Sequence, residues 1–259
     1  APTAIKCAAM AVAMGIVALP VVFVLLQTGP TPALVRHETG IAETTLITLS
    51  DGTIATLGAS TQIEILMSDD ARTISLKSGA AFFDVLPDPS RPFSVEAGDL
   101  TATALGTEFD VRSNGGVFRV AVAEGRVAVA YPHVTADRPT RLMKRRTLNQ
   151  GQEVAATTDE GLRVTRSVAA RDVGAWRNHR LVYDGGTLGE LVADANRYSE
   201  RDIVLADSVH ALADQTITAS FDANYINRML SMLELSYSIE IDASEPGILR
   251  LHAKDEASR

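Results

Sequence analysis

The chain has 259 residues, a formal charge of −8 and only 5% aromatic residues. Lys6 is the only charge before Arg36, and the remainder carries 23 basic against 32 acidic residues. That balance excludes general nucleic-acid binding, which needs a basic footprint to neutralise phosphates. The length allows one large or two small domains with real cores. The single cysteine, Cys7, leaves no partner for an internal disulfide.

The first element in chain order is apolar. Cys7 to Leu26 reads CAAMAVAMGIVALPVVFVLL, twenty residues without a charge. At about 1.5 Å rise per residue, a helix of that length crosses a hydrocarbon core of about 30 Å. Pro20 would kink it, which membrane helices tolerate. A secretory signal is the competing reading, with Thr31-Pro32-Ala33 as a cleavage site. Signal cores run to only about 7–15 residues, so a retained span over residues 7–27 is expected. Lys6 at its N-terminal side favours a cytoplasmic stub, residues 1–6, and a C-terminal part facing outward. The chain opens on Ala1 rather than methionine and is read as a piece of something longer. Gln27, Thr28, Gly29, Pro30 and Pro32 end the helix and begin a stalk over residues 28–40.

Short strands and turns follow over residues 41–170. Thr45–Leu49 and Thr53–Leu57 flank Ser50-Asp51-Gly52, a strong hairpin signal. Ile63–Leu66 is a further strand, and Thr73–Leu76 and Ala81–Val85 flank Lys77-Ser78-Gly79, read as a second hairpin turn. Further strands are expected at Phe93–Glu96, Leu100–Ala104, Glu108–Arg112, Val117–Val122 and Arg126–Ala130. The expected core is Leu76, Phe82, Val85, Phe93, Val95, Leu105, Phe109, Val111, Phe118, Val120, Val122, Val127 and Val129. Phe118, Val120 and Val122 share a face by the period of two. With no helical period in this stretch, an all-β sandwich or roll is the expectation. Arg138, Arg141, Lys144, Arg145 and Arg146 form a basic patch, read as a solvated strand or loop face.

The pattern changes near Trp176, opening a small α+β domain over residues 171–253. Arg180–Tyr183 is a strand ended by Asp184-Gly185-Gly186. Thr187 and Glu190 form a capping box for a helix whose apolar face is Leu188, Leu191, Val192 and Ala195. Asp202–Leu205 and Thr216–Phe221 are strands. A second helix starts after Asp222 or Asn224, with Ile226, Met229, Leu230 and Leu233 on one face and Met232 also read as core filler. Tyr237–Ile241 and Ile248–His252 complete a small sheet carrying two helices on one face, before a polar tail, residues 254–259.

Catalytic patterns are missing. The chain has no G-x-x-x-x-G-K, no dinucleotide fingerprint, no H-E-x-x-H and no G-x-S-x-G. Gly185, Gly186 and Gly189 lack cofactor spacing. His37, His133, His179, His210 and His252 are dispersed, and a zinc site needs convergent ligands. Asp84, Asp88, Glu96, Asp99, Glu108 and Asp110 could pair as glycosidase carboxylates, but acids in turns are common. No catalytic, cofactor-binding or metal residue is assigned. What remains is an anchored outer adaptor that acts through protein partners, with Thr216–Phe221 and Ile248–His252 as strands that could accept a partner's strand. The alternative is a membrane-anchored glycan- or cell-wall-binding module, against which stands the scarcity of aromatics.

Several stretches, in order, resemble the FecR family of membrane-bound sigma-factor regulators. They are Leu49-Ser50-Asp51-Gly52-Thr53, Arg72–Gly79 with Phe82 and Val85, Arg91-Pro92-Phe93-Ser94-Val95, Ala104–Val111, Val122–Val127 and Leu148-Asn149-Gln150-Gly151-Gln152. Trp176 to His252 is similar to the short N-terminal domain of secretins and TonB-dependent receptors (STN-like). Asp184-Gly185-Gly186 departs mildly from that pattern. The resemblance implies a non-enzymatic, single-pass inner-membrane protein with a periplasmic C-terminal part. Its implied partners are the signalling domain of a TonB-dependent outer-membrane receptor of iron uptake, an extracytoplasmic-function sigma factor, and a site-2-type intramembrane protease. The sigma factor would be held by a cytoplasmic domain expected ahead of Ala1. No cofactor and no direct nucleic-acid contact are implied.

Overall fold

Alternating apolar and polar residues put one face of each strand inward, and two layers built this way close on each other. The computed structural model describes residues 33–135 and 138–254, without the side chains of residues 133–141, 210 and 211. The expected stub, span and early stalk, the side chains of Arg138 and Arg141, and the tail beyond Lys254 lie outside this description. Among the described residues no helix is long and apolar enough to cross a membrane. The chain from Leu34 onward forms one compact unit.

The first region holds β1 (Leu34–Glu38), β2 (Thr45–Thr48), β3 (Ile54–Leu57), β4 (Gln62–Met67), β5 (Arg72–Asp84), β6 (Phe93–Ala97) and β7 (Leu100–Ala104). It continues with β8 (Glu108–Asn114), β9 (Val117–Glu124), β10 (Arg126–Thr135), β11 (Arg138–Asn149), β12 (Gln152–Thr157), β13 (Gly161–Leu162) and β14 (Arg166–Ser167). One layer runs β1-β4-β5-β6-β7-β10-β11, and the other runs β2-β3-β5-β8-β9-β12, with β13 and β14 on β12. All described pairings in the two layers are antiparallel except β5 with β6. The result is a near-closed β roll.

Strand β5 belongs to both layers. Its first half pairs with β4 and β6, and its second half with β3 and β8. The expected turn at Lys77-Ser78-Gly79 is therefore corrected: these residues bend one continuous strand. Gly79 has φ +99°, and a Cβ there would collide with Thr61, so only glycine lets the strand cross between layers. The hairpin at Asp51-Gly52 forms as expected, with Thr48 opposite Ile54. Asn114 faces Val117 across the Gly115-Gly116 turn. Leu34–Glu38, within the stretch read as stalk, is instead an edge strand on β4.

Phe83, Phe93 and Phe109 meet between the layers, with ring centroids 5.3 to 6.5 Å apart. Val95, Val111, Val120, Val122, Val127 and Val129 surround them. Leu105 is a correction: it is 50% exposed, because β7 ends at Ala104 and the strand period stops there. The expected core omits Leu57, Ile63, Ile74 and Phe83, all fully buried, and one charged residue, Arg72, 1% exposed. It pairs with Asp51 at 2.9 Å and donates to the carbonyls of Leu86 and Arg91 at 2.8 and 2.7 Å. One buried cation thus ties the first hairpin turn to the Pro87–Arg91 loop. Burial works against the Asp51 carboxylate, but bonds from Thr53 and Arg72 hold its carboxyl below the usual range.

The C-terminal region contains β15 (Arg180–Thr187), α1 (Leu188–Ala195), β16 (Asp202–Leu205), α2 (His210–Ala213), β17 (Thr216–Asp222), α3 (Ile226–Ser236), β18 (Ile239–Asp242) and β19 (Ile248–Ala253). The capping box at Thr187 and Glu190 forms with both bonds present. The single sheet expected here is two: β15-β17 antiparallel, and β16-β19-β18 with β16 parallel to β19. Strand β15 runs past Asp184-Gly185 to Thr187 through a bulge rather than ending there. Leu181, Leu188, Leu191, Ile203, Met229, Leu230 and Leu233 are buried as read, whereas Met232 is 48% exposed. This second core is shared: Ala80, Phe82 and Ala121 of the roll pack into it with Trp176. Phe82 is buried as expected, but on the outer face of the roll.

Candidate functional site

The outer face of β8, β9 and β12 is where the two regions meet. Alternation turns Asp110, Arg112 and Asn114 of β8, Arg119 and Ala121 of β9, and Glu153 of β12 away from the roll core. The C-terminal region covers them. Trp176 donates its indole N–H to Asp110 at 2.7 Å, and Arg112 bonds the other oxygen of that carboxylate at 2.7 Å. Arg119 bridges the regions, reaching Glu153 of the roll at 2.7 Å and both oxygens of Glu190 on α1 at 2.5 Å. Glu190 also accepts the Thr187 backbone N–H at 2.9 Å, so one carboxylate caps the helix and docks it. Arg166 donates to Glu153 at 2.5 Å and also to the carbonyl of Asp184. Asp194 accepts from Asn114 at 2.8 Å and from Tyr183 at 2.9 Å. Arg177 lies over the Phe82 ring, 3.5 Å from its centroid.

Charge in this joint is held by its neighbours. Burial opposes the Glu153 carboxylate, but Arg119, Arg166 and Arg112 keep its carboxyl below the usual range. Burial likewise opposes the Arg112 cation, and the carboxylates of Asp110, Asp194 and Glu153 outweigh it and raise its pKa. Burial and then Asp194 push Tyr183 well above the ordinary phenol range, and Tyr198 to about 12. A matched network of this kind fixes one geometry between two bodies. Its ionic groups are committed to one another rather than presented to a ligand.

The second feature is a sheet edge. The outer edge of β16 is plugged by Asn196, whose side chain bonds both the N–H and the C=O of Ile203 at 2.7 Å. The outer edge of β18 is closed by Glu234, which accepts the Ile241 N–H at 2.8 Å. On β15, Arg166 takes the Asp184 carbonyl. Strand β17 pairs with β15 alone, and among the described residues no side chain closes its other side. Ala223 N–H bonds the His179 carbonyl, so by antiparallel alternation the peptide groups of Thr218, Ser220 and Asp222 face outward. Their side chains are exposed. Of the two strands read as possible acceptors, Ile248–His252 is corrected: it is the central strand of its sheet, paired on both sides.

Among the other sequence candidates the ladder brings one acidic pair together. Asp84 and Glu108 sit opposite each other in the ladder. Asp88 is held by Ser90 and Arg91, which bring its carboxyl down to about 2. Arg145 and Arg146 are exposed on β11, as a solvated strand face requires. Among the described residues no group of three or more His, Cys, Asp or Glu could hold a metal ion.

Comparison with known proteins adds a family. Residues 35–128 match the family model described as FecR protein, so the roll carries FecR-family homology. Two crystal structures of a candidate anti-sigma factor from Parabacteroides distasonis share the fold. Each is 22% identical to this chain, and they cover 86% and 85% of it and 100% of their own chains, with TM-scores of 0.75 and 0.74. Among curated proteins none matches.

Proposed function

We propose that this chain is the signal-receiving part of a FecR-like regulator that couples a TonB-dependent outer-membrane transducer to an extracytoplasmic-function sigma factor. In this reading residues 7–27 anchor it in the inner membrane. The N-terminal side is cytoplasmic, and the β roll (41–170, extended by β1) and the STN-like region (171–253) are periplasmic. The transducer's signalling domain docks by adding a strand to β17. A cytoplasmic domain ahead of Ala1 holds the sigma factor, and a site-2-type intramembrane protease acts on the span. The observation that carries the docking step is the contrast among edges: β15, β16 and β18 are closed by Arg166, Asn196 and Glu234, whereas β17 presents outward peptide groups. Backbone pairing at such an edge supplies affinity. The glycan-binding alternative has little support, because among the described residues Tyr225 is the one strongly exposed aromatic.

Residues 34–259, immobilised and presented with signalling domains of TonB-dependent transducers from the same cell, test the reading. Retention of one domain is expected. Failure to retain any of them, with the fragment folded by circular dichroism, would contradict it.

A further inference from the structure

The turn Gly40–Glu43 lies early in the chain, between β1 and β2, yet it touches the C-terminal region. The Ala42 N–H donates to the carbonyl of Arg197 at 2.9 Å. Arg197 follows α1 and is itself buried. Its guanidinium bonds the Ser113 carbonyl at the end of β8 at 2.8 Å and lies 3.9 Å from Asp194. Asp194 is the carboxylate that Asn114 and Tyr183 hold. The polar joint therefore ends on the backbone of the N-terminal turn.

That turn is also where backbone strain collects. Among the described residues, only three non-glycine residues have positive φ: Ala42 at +54°, Ser60 at +50° and His179 at +56°. Ala42 makes the bond to Arg197. Ser60 N–H bonds the Gly40 carbonyl at 2.9 Å. Two of the three thus lie in one small contact, and a left-handed alanine persists only where its surroundings enforce it.

We infer that Gly40–Glu43 is a latch: Arg197, as a positioning residue, lets the C-terminal region hold the turn between β1 and β2 in place, and a shift of that region releases it. The latch is a property of the chain itself. Only the identity of the molecule that shifts the region, a protein strand on β17, rests on the function proposed above. Release requires no covalent step. The Ala42–Arg197 bond opens, Ala42 leaves the left-handed conformation, and the turn between β1 and β2 gains freedom.

Hydrogen exchange on the full 259-residue chain tests this without any partner. Arg197→Met removes the bond to Ser113 and leaves the backbone carbonyl free to drift. Exchange at residues 40–43 is expected to rise about tenfold, the scale of one lost hydrogen bond, while amides of Val111 and Val120 in the roll stay protected. Ala42→Gly keeps the N–H and relieves the strain, so protection at 40–43 is expected to increase. Unchanged exchange at 40–43 in a folded Arg197→Met chain would overturn the latch, as would an equal rise throughout the roll. If Arg197→Met fails to fold, Ala42→Gly decides: unchanged or lower protection overturns it. A chain that passes these tests but ignores every signalling domain would keep the latch and lose the proposed partner.

Discussion

The β roll and the C-terminal region are held in different ways. The roll closes over aliphatic and aromatic side chains contributed by both layers, with one buried cation, Arg72, tying its loops. The C-terminal region shares its small core with Ala80, Phe82 and Ala121 on the roll's outer face, and beside that apolar contact it is seated by ion pairs and hydrogen bonds to carboxylates: Arg119 with Glu190 and Glu153, Asp110 with Trp176 and Arg112, Asp194 with Asn114 and Tyr183. Apolar packing is non-directional and tolerates small shifts. A charge network holds one arrangement and loses much of its energy once any partner leaves.

The sharpest way to break this contrast is in the roll. Phe93→Ala removes one ring of the aromatic trio and should cost about 3–5 kcal/mol. Calorimetry should show the roll melting earlier, with the C-terminal region following because its seat is lost. Next is Glu153→Gln, which leaves Arg119 and Arg166 facing each other without a full counter-charge; about 3 kcal/mol is expected. Here limited proteolysis should cut between the regions, around residues 168–178, while exchange protection in β5 and β8 persists. Equal loss in both regions would show that they are one cooperative body.

Acid should separate the regions in the same order. The Glu153 carboxyl is depressed in the folded chain from its ordinary 4.5. Its contribution is therefore complete above that value and is lost as pH falls through the folded pKa. Melting temperature should drop below about pH 4.5, and Glu153→Gln should flatten that drop. The smallest effect is expected on the open face of β11. Arg145→Glu should leave stability within about 0.5 kcal/mol, since the side chain is exposed and among the described residues has no salt-bridge partner there.

The sequence shows the roll better than the joint, for a physical reason. Phe118, Val120 and Val122 recur at every second position of one strand, and Thr187 with Glu190 spells a helix start, so both are legible locally. Asp110, Arg119 and Glu153 occupy the alternate positions, which a period of two marks as solvent-facing. Nothing local says that another part of the chain covers them. The available signal was their chemistry: charges of both signs on adjacent outward positions, beside the small residues Ala80 and Ala121. Lys77-Ser78-Gly79 misled because a glycine at positive φ reads as a turn whether the chain reverses or merely bends. The state of an edge is equally invisible in one strand, because the plug on β16 is Asn196 from another element.

The central claim is that β17 is the receiving edge, and one titration addresses it. Proline at position 220 replaces an outward-facing N–H and is tolerated on edge strands. Residues 34–259 and their Ser220→Pro variant would each be titrated calorimetrically with the transducer signalling domain retained in the binding experiment. The account predicts heat of binding for the parent, none for the variant, and nearly equal melting temperatures. Undiminished binding by a folded Ser220→Pro variant would contradict it.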